Sequence, residues 1–236
     1  MENKIAIVGT GRVATHLAKA FTEKGINVQL INSRTLSALP TCCTMYIIAV
    51  SDNAIAEVAR KMTGVKGIVV HTSGATRSDV LDMHSSYGIL YPCQTFSADD
   101  VIDYSTIPFV IDANDSETLS VIERIAQRVS QRTFRINDTQ RAHLHVAAVI
   151  ANNFSNYLLS QANDYMRRHN LPFDILHTLM KQTVDKAFDV GPHKAQTGPA
   201  VRGDNETIER HLTLIEDNHL RQLYKTLTDS IITYYK

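Results

Sequence analysis

Three polar residues in the second half of the chain are of the types that a reduction of a C=O or C=N group requires. His145 carries an imidazole, a side chain that can deliver a proton. Asn153 can hydrogen-bond a carbonyl, and Arg202 can clamp a carboxylate in bidentate fashion. On an ideal helix Arg141 lies one turn before His145, and Asn153 follows His145 by eight positions (153 − 145), on a neighbouring face. Together they make a polar stripe on an otherwise apolar helix, and a core-facing polar stripe needs partners or a wet cavity. Each residue also has a structural reading. The chain has 10 histidines, and a single one is more often a satisfied packing residue than a catalyst. Asp204 either orients Arg202 or caps the helix that follows. Lys181 and Lys186 are reserve proton donors, whereas nothing supports a catalytic thiol at Cys93. No metal site is expected: His143 and His145 are two positions apart, a poor helical ligand spacing, and no acid or cysteine cluster accompanies them.

Such groups need something to act with, and the start of the chain supplies it. Residues 5–14 read Ile-Ala-Ile-Val-Gly-Thr-Gly-Arg-Val-Ala, an apolar strand running into Gly9-x-Gly11-x-x-Ala14. Gly9 permits a tight turn, Gly11 admits a pyrophosphate to the backbone, and Ala14 lets the next helix pack on the strand. The segment Gly9-Thr10-Gly11-Arg12-Val13 would cradle the phosphates at the positive end of that helix. The pattern alone is weak. Its context, with a second apolar strand at 27–31 beyond Gly25, is what a dinucleotide-binding unit requires.

The ends of the following strands should line the same crevice. The second ends Asn32-Ser33-Arg34, where an NAD-preferring site would place an acid. A hydroxyl and a planar guanidinium suit a 2′-phosphate, so NADP is expected over NAD. The third ends Val50-Ser51-Asp52, in which Ser51 or Asp52 can equally cap a helix. The fourth ends His71-Thr72-Ser73-Gly74, small and polar enough for a nicotinamide ribose or carboxamide, or for a plain structural turn. The segment from Leu90 to Phe96 leaves the sheet on the same side and can wall a substrate pocket.

Strand patterns at 4–8, 27–31, 45–50, 67–71, 88–91, 108–112 and 132–136 alternate with helical stretches at 12–24, 53–62, 77–85 and 116–130. That alternation predicts an α/β fold: a mostly parallel sheet covered on both faces, over residues 1–137. From 138 to 236 the pattern is all helical. One long helix is predicted over 139–169, with Leu144, Ala148, Ala151, Phe154, Leu158 and Ala162 on its apolar side, then helices at 174–188, 205–218 and 219–235.

Lysine plus arginine (24) balances aspartate plus glutamate (24), which argues against nucleic acid as the main partner. No apolar run approaches the roughly 20 residues that span a bilayer. Met1 leads almost directly into the first strand, so no signal peptide is expected. Cys42, Cys43 and Cys93 form no Cys-x-x-Cys pair, and free thiols in a reducing cytoplasm are expected.

The order Gly-x-Gly-x-x-Ala, Asn-Ser-Arg, Val-Ser-Asp, His-Thr-Ser-Gly and Tyr-Pro-x-Gln-Thr-Phe resembles the Rossmann-like NADP oxidoreductases that carry a DUF2520-type helical domain. These are related to pyrroline-5-carboxylate reductase, 6-phosphogluconate dehydrogenase and ketopantoate reductase-type enzymes. The second half carries the resemblance further, through Arg141-x-x-x-His145, Asn152-Asn153-Phe154 and the segment Thr197-Gly-Pro-x-x-Arg202-Gly-Asp204. The resemblance covers nearly the whole chain. It implies an N-terminal Rossmann domain that binds NADP, a helical substrate and dimerisation domain, a homodimer, and hydride transfer to a small carboxylated carbonyl or imine. A non-enzymatic NADP-binding sensor or partner regulator on the same scaffold is the alternative.

Overall fold

The computed structural model of the protein describes residues 4–36, 39–98 and 100–235. The chain forms two compact units, Met1–Asn152 and Asn153–Lys236.

The first unit is built on a seven-stranded sheet. Its strands are β1 (Lys4–Val8), β2 (Asn27–Ile31), β3 (Met45–Ile48), β4 (Ile68–His71), β5 (Tyr87–Pro92), β6 (Phe109–Ala113) and β7 (Thr133–Arg135). They lie in the order β2-β1-β3-β4-β5-β6-β7. Pairing is parallel from β2 through β5, antiparallel between β5 and β6, and parallel again between β6 and β7. The order reverses at β1, between β2 and β3, and ligands of open α/β sheets bind outside the strand ends at such a point.

Alternation along the strands sends side chains to two cores, which is why these strands read as continuous apolar runs. On one face Ile5, Ile7, Met45, Ile47 and Val70 pack with Leu17 and Phe21 of α1 (Arg12–Glu23). On the other, Ala6, Val8, Tyr46, Ile48 and Val69 pack with Ile55, Val58 and Ala59 of α2 (Asp52–Lys61). The helix α3 (Ser116–Gln127) returns to the first face through Ile122 and Ile125 and is capped by Asp115, which accepts from Thr118 N at 2.8 Å.

The stretch 77–85 departs from its predicted helix. Only Ser78–Leu81 forms a short 3₁₀ turn. Leu81 is its buried anchor, while Met83 is exposed, so the segment has no repeating apolar face to hold a longer helix. The helix α4 (Asp138–Ala148) also belongs to the first unit, and begins with a full capping box between Asn137 and Gln140.

The helix predicted over 139–169 is likewise divided. After α4 comes a π-helical turn, Val149–Phe154, and then α5 (Ser155–Arg168). The wider π turn accommodates an extra residue. It contains Asn152 and Asn153, whose amides compete for backbone partners. Ideal-helix spacing therefore does not carry across this turn.

The second unit continues with α6 (His177–Val190), two single turns α7 (Pro192–Ala195) and α8 (Pro199–Arg202), α9 (Asn205–Leu214) and α10 (Asn218–Tyr235). Asp204 is the cap of α9 and accepts from Thr207 N at 3.1 Å. Arg221 on α10 donates from Nε to the Ile215 carbonyl at the end of α9, 2.9 Å. Among the described residues, the buried hydrophobic side chains of this unit are Met166, Ile208 and Ile215, whereas Phe154, Ile175, Leu179, Val184 and Phe188 are exposed.

Candidate active site

At the reversal point the first unit opens into a cleft of about 910 Å³. Gly9, Thr10, Gly11, Arg12 and Val13 form one side of its lining. The turn is made by Gly9, at φ +140°, whose N–H donates to the Ile31 carbonyl at 2.8 Å. A Cβ at Gly9 would stand 2.1 Å from the Ala49 carbonyl oxygen, so no other residue fits. Gly11, itself a lining residue, has nothing within 4 Å of where its Cβ would lie. It is also the N-cap of α1, and no side chain caps this end. The first-turn N–H groups are left for an anion.

Asn32, Ser33 and Arg34 line the cleft as well. The Asn32 carboxamide is engaged locally, accepting from Arg34 N at 2.9 Å and fixing the turn. Among the described residues neither Arg12 nor Arg34 makes an ion pair. Val50 and Ser51 contribute the third side, and Ser51 is the N-cap of α2 without a side-chain bond of its own. Asp52 opens α2, is exposed, and is not among the lining residues. Five lining residues escaped sequence reading: Ala49, just past β3, and Ala54, Glu57, Val58 and Lys61 of α2. The three- and four-residue spacing of those on α2 was the signal available. Lys61 donates to Glu57 at 2.5 Å, and this bond holds the Glu57 carboxyl below its usual range. A tight turn closed to any side chain, an uncapped helix end and two unpaired guanidiniums fit a dinucleotide diphosphate.

The segment His71–Gly74 lies outside that lining and forms a hydrogen-bonded knot. His71 is fully buried; Nδ1 accepts from Ser73 N at 3.2 Å, so Nε2 carries the proton and donates to the Arg77 carbonyl, also 3.2 Å. Burial pulls its pKa down to about 4. The Ser73 hydroxyl accepts from the N–H groups of Ala75 and Thr76 at 3.1 and 2.9 Å. Thr72 N donates to the Ile48 carbonyl at 3.2 Å. The knot is tied to α4 by Arg141, 1% exposed, which donates to the Thr76 carbonyl and pairs with Asp138 at 2.7 Å. Asp138 also accepts from Ser78 N and Oγ at 2.9 and 3.0 Å.

This network places His145 against the knot. Its Nδ1 is buried, makes no hydrogen bond within the protein, and would lie 2.6 Å from a Cβ at position 74, so glycine is needed there. Its ring meets Tyr91 edge-on at 6.4 Å. Tyr91 stands at the end of β5, and burial, then the nearby Cys93 thiol, push its hydroxyl pKa up and keep it protonated. Within the first unit the fold thus gathers His145, Tyr91 and the 71–78 knot. In the second unit Asn153 is exposed in the π turn, and Arg202 is exposed at the end of α8 with Asp204 3.8 Å away. No group of three or more potential metal ligands exists among the described residues. No described helix is long and apolar enough to cross a membrane.

The family model for the domain of unknown function DUF2520 matches residues 107–231. The chain belongs to the DUF2520 family. A second model, for NADP oxidoreductases that depend on coenzyme F420, matches residues 4–65 of this DUF2520 protein, from the first strand past the end of α2. A crystal structure from Bacteroides fragilis, named a putative NADP oxidoreductase, is 31% identical, with 98% of each chain covered and a TM-score of 0.91. A Thermotoga maritima structure is 21% identical over 98% of each chain, TM-score 0.71. The imine reductase of Streptomyces aurantiacus shares the fold at 13% identity, with 97% of this chain and 93% of that one covered and a TM-score of 0.64. No curated protein matches the sequence. The chain thus joins a Rossmann-like frame, whose start matches a model for NADP oxidoreductases, to a helical C-terminal region.

Proposed function

We propose that this chain is an NADP-dependent reductase that acts on a small carboxylated carbonyl or imine, ketopantoate-like compounds among them. The carrying observation is the cleft at the sheet's reversal point, where Ser33 and Arg34 occupy the position an acid would take for NAD. Bound NADPH supplies the hydride. The chain's own residues do the rest. The N–H groups of α1 and the Gly9–Gly11 backbone hold the diphosphate, and Ser33 and Arg34 hold the 2′-phosphate. His145 is the proton donor: its Nδ1 lacks a protein partner, so the ring is not committed to a structural hydrogen bond there. Asn153 orients the substrate from a π turn, a local form that recurs at functional sites. Arg202, with its acid only at 3.8 Å, has its planar fork available for a carboxylate.

The working form is a homodimer closed through the second unit. The three buried hydrophobic side chains among its described residues cannot sustain a helical unit of this size, and Phe188 stands 86% exposed. A second copy of the same apolar surface is the simplest cover. The unbridged Cys42, Cys43 and Cys93 suit the cytoplasm.

Calorimetry with NADPH and NADH, followed by NADPH oxidation across a panel of 2-oxo acids and cyclic imines, tests this reading. Tighter binding of NADPH with turnover of one panel class is the expected result. Tight NADPH binding with no turnover anywhere on the panel transfers the protein to the sensor class.

A further inference from the structure

The cleft holds one cation that neither the glycine turn nor the second strand supplies. Lys61 ends α2 and shares a helix face with Ala54, Glu57 and Val58, all of them cleft-lining. Its ammonium is bonded to Glu57 in an i, i+4 pair, and the two side chains are 53% and 63% exposed. Exposed pairs of this kind add little to stability, so the ammonium can change partner at small cost.

The charge balance gives it a reason to do so. The cations lining the cleft are Arg12, Arg34 and Lys61, and the acid among them is Glu57. A diphosphate brings about two negative charges, and a 2′-phosphomonoester adds about 1.5 to 2 more. Two free guanidiniums and the dipole of α1 balance the diphosphate alone; they fall short once the third phosphate is present.

We propose that Lys61 is a specificity-determining residue of the coenzyme cleft, leaving Glu57 for the 2′-phosphate when NADPH binds. In this arrangement Glu57 parks the ammonium on the cleft wall between binding events. The pair discriminates because NADH offers Lys61 nothing better than Glu57. The inference rests on the reading of the cleft as a dinucleotide site given under Proposed function.

The test is calorimetry on the full chain with two ligand pairs, NADPH against NADH and 2′,5′-ADP against ADP. Lys61→Met should weaken NADPH and 2′,5′-ADP by about tenfold or more and change NADH and ADP by less than about twofold. Lys61→Arg should keep the preference. Glu57→Gln, which frees the ammonium, should tighten NADPH and leave NADH unchanged. The difference between NADPH and NADH should shrink as salt is raised. A Lys61→Met protein that binds NADPH as tightly as wild type, or that loses NADPH and NADH in equal proportion, overturns the inference while the cleft reading stands. A wild-type protein that binds neither coenzyme overturns the cleft reading itself, and the inference with it.

Discussion

Replacing Gly9 and Gly11 separately by alanine distinguishes the glycine that makes the turn from the one that makes room for a ligand. At Gly9 an added Cβ would stand 2.1 Å from the Ala49 carbonyl oxygen and 2.8 Å from its carbon, and φ is +140°. That carbonyl belongs to backbone at the end of β3, held by the Ala49 N–H to the Val8 carbonyl at 2.9 Å, so it cannot swing aside. A strained backbone costs about 1–3 kcal/mol. Forcing a methyl into a packed site costs about another 1–3 kcal/mol. Gly9→Ala should therefore lose about 2–6 kcal/mol, a large part of the roughly 5–15 kcal/mol that holds a typical domain together. Gly11→Ala meets nothing within 4 Å and keeps an ordinary φ of −78°. It should cost at most about 1 kcal/mol, from the poorer N-cap. Its methyl would instead occupy the approach of a diphosphate and weaken NADPH by about tenfold or more, about 1.4 kcal/mol. Urea unfolding at constant m measures the first effect and calorimetry the second. A Gly9→Ala protein as stable as wild type, or a Gly11→Ala protein with undiminished affinity for NADPH, would refute the argument.

His71 makes stability depend on pH. Its pKa is about 4 in the folded chain and about 6.5 when unfolded, so the unfolded chain binds the extra proton between those values. Stability should be full above pH 6.5 and fall by about 3 kcal/mol as pH drops to 4; His71→Gln should flatten that part of the urea-midpoint profile, and an unaltered profile would count against it. Arg141 is buried against a half-buried Asp138, and removing the carboxylate strands its charge. Asp138→Asn should cost about 3–5 kcal/mol, and the double variant with Arg141→Met should cost less than the sum of the single changes in a double-mutant cycle. Leu179→Glu with Phe188→Glu, both at exposed positions, should convert a sedimenting dimer into a monomer; a doubly substituted protein that still sediments as a dimer moves the interface elsewhere.

What could be read in the sequence divides along a physical line. The central strands were legible because they are buried on both faces, so that Ile5–Val8 and Met45–Ile48 are apolar without interruption. The glycine turn was legible because position 9 excludes every side chain and the turn's backbone geometry is carried by residue type. Ser33, Arg34, Thr10 and Ser51 were found in the cleft lining because they continue those same strands. Where the local signal was shared by two structures, the sequence left both readings open. His71-Thr72-Ser73-Gly74 has the small polar residues of a ligand loop, yet spends them on its own hydrogen bonds. The apolar period over 139–169 survives an extra residue at the π turn, so counting positions could not reveal it. Glu57 and Lys61 look like any solvated helix pair until the fold sets that face of α2 against the turn after β2 in one cleft. Residues fixed by backbone constraint announce themselves in one dimension. Those that act through juxtaposition, such as Lys61 with Arg34 or His145 with Gly74 and Tyr91, acquire meaning only when the chain has folded.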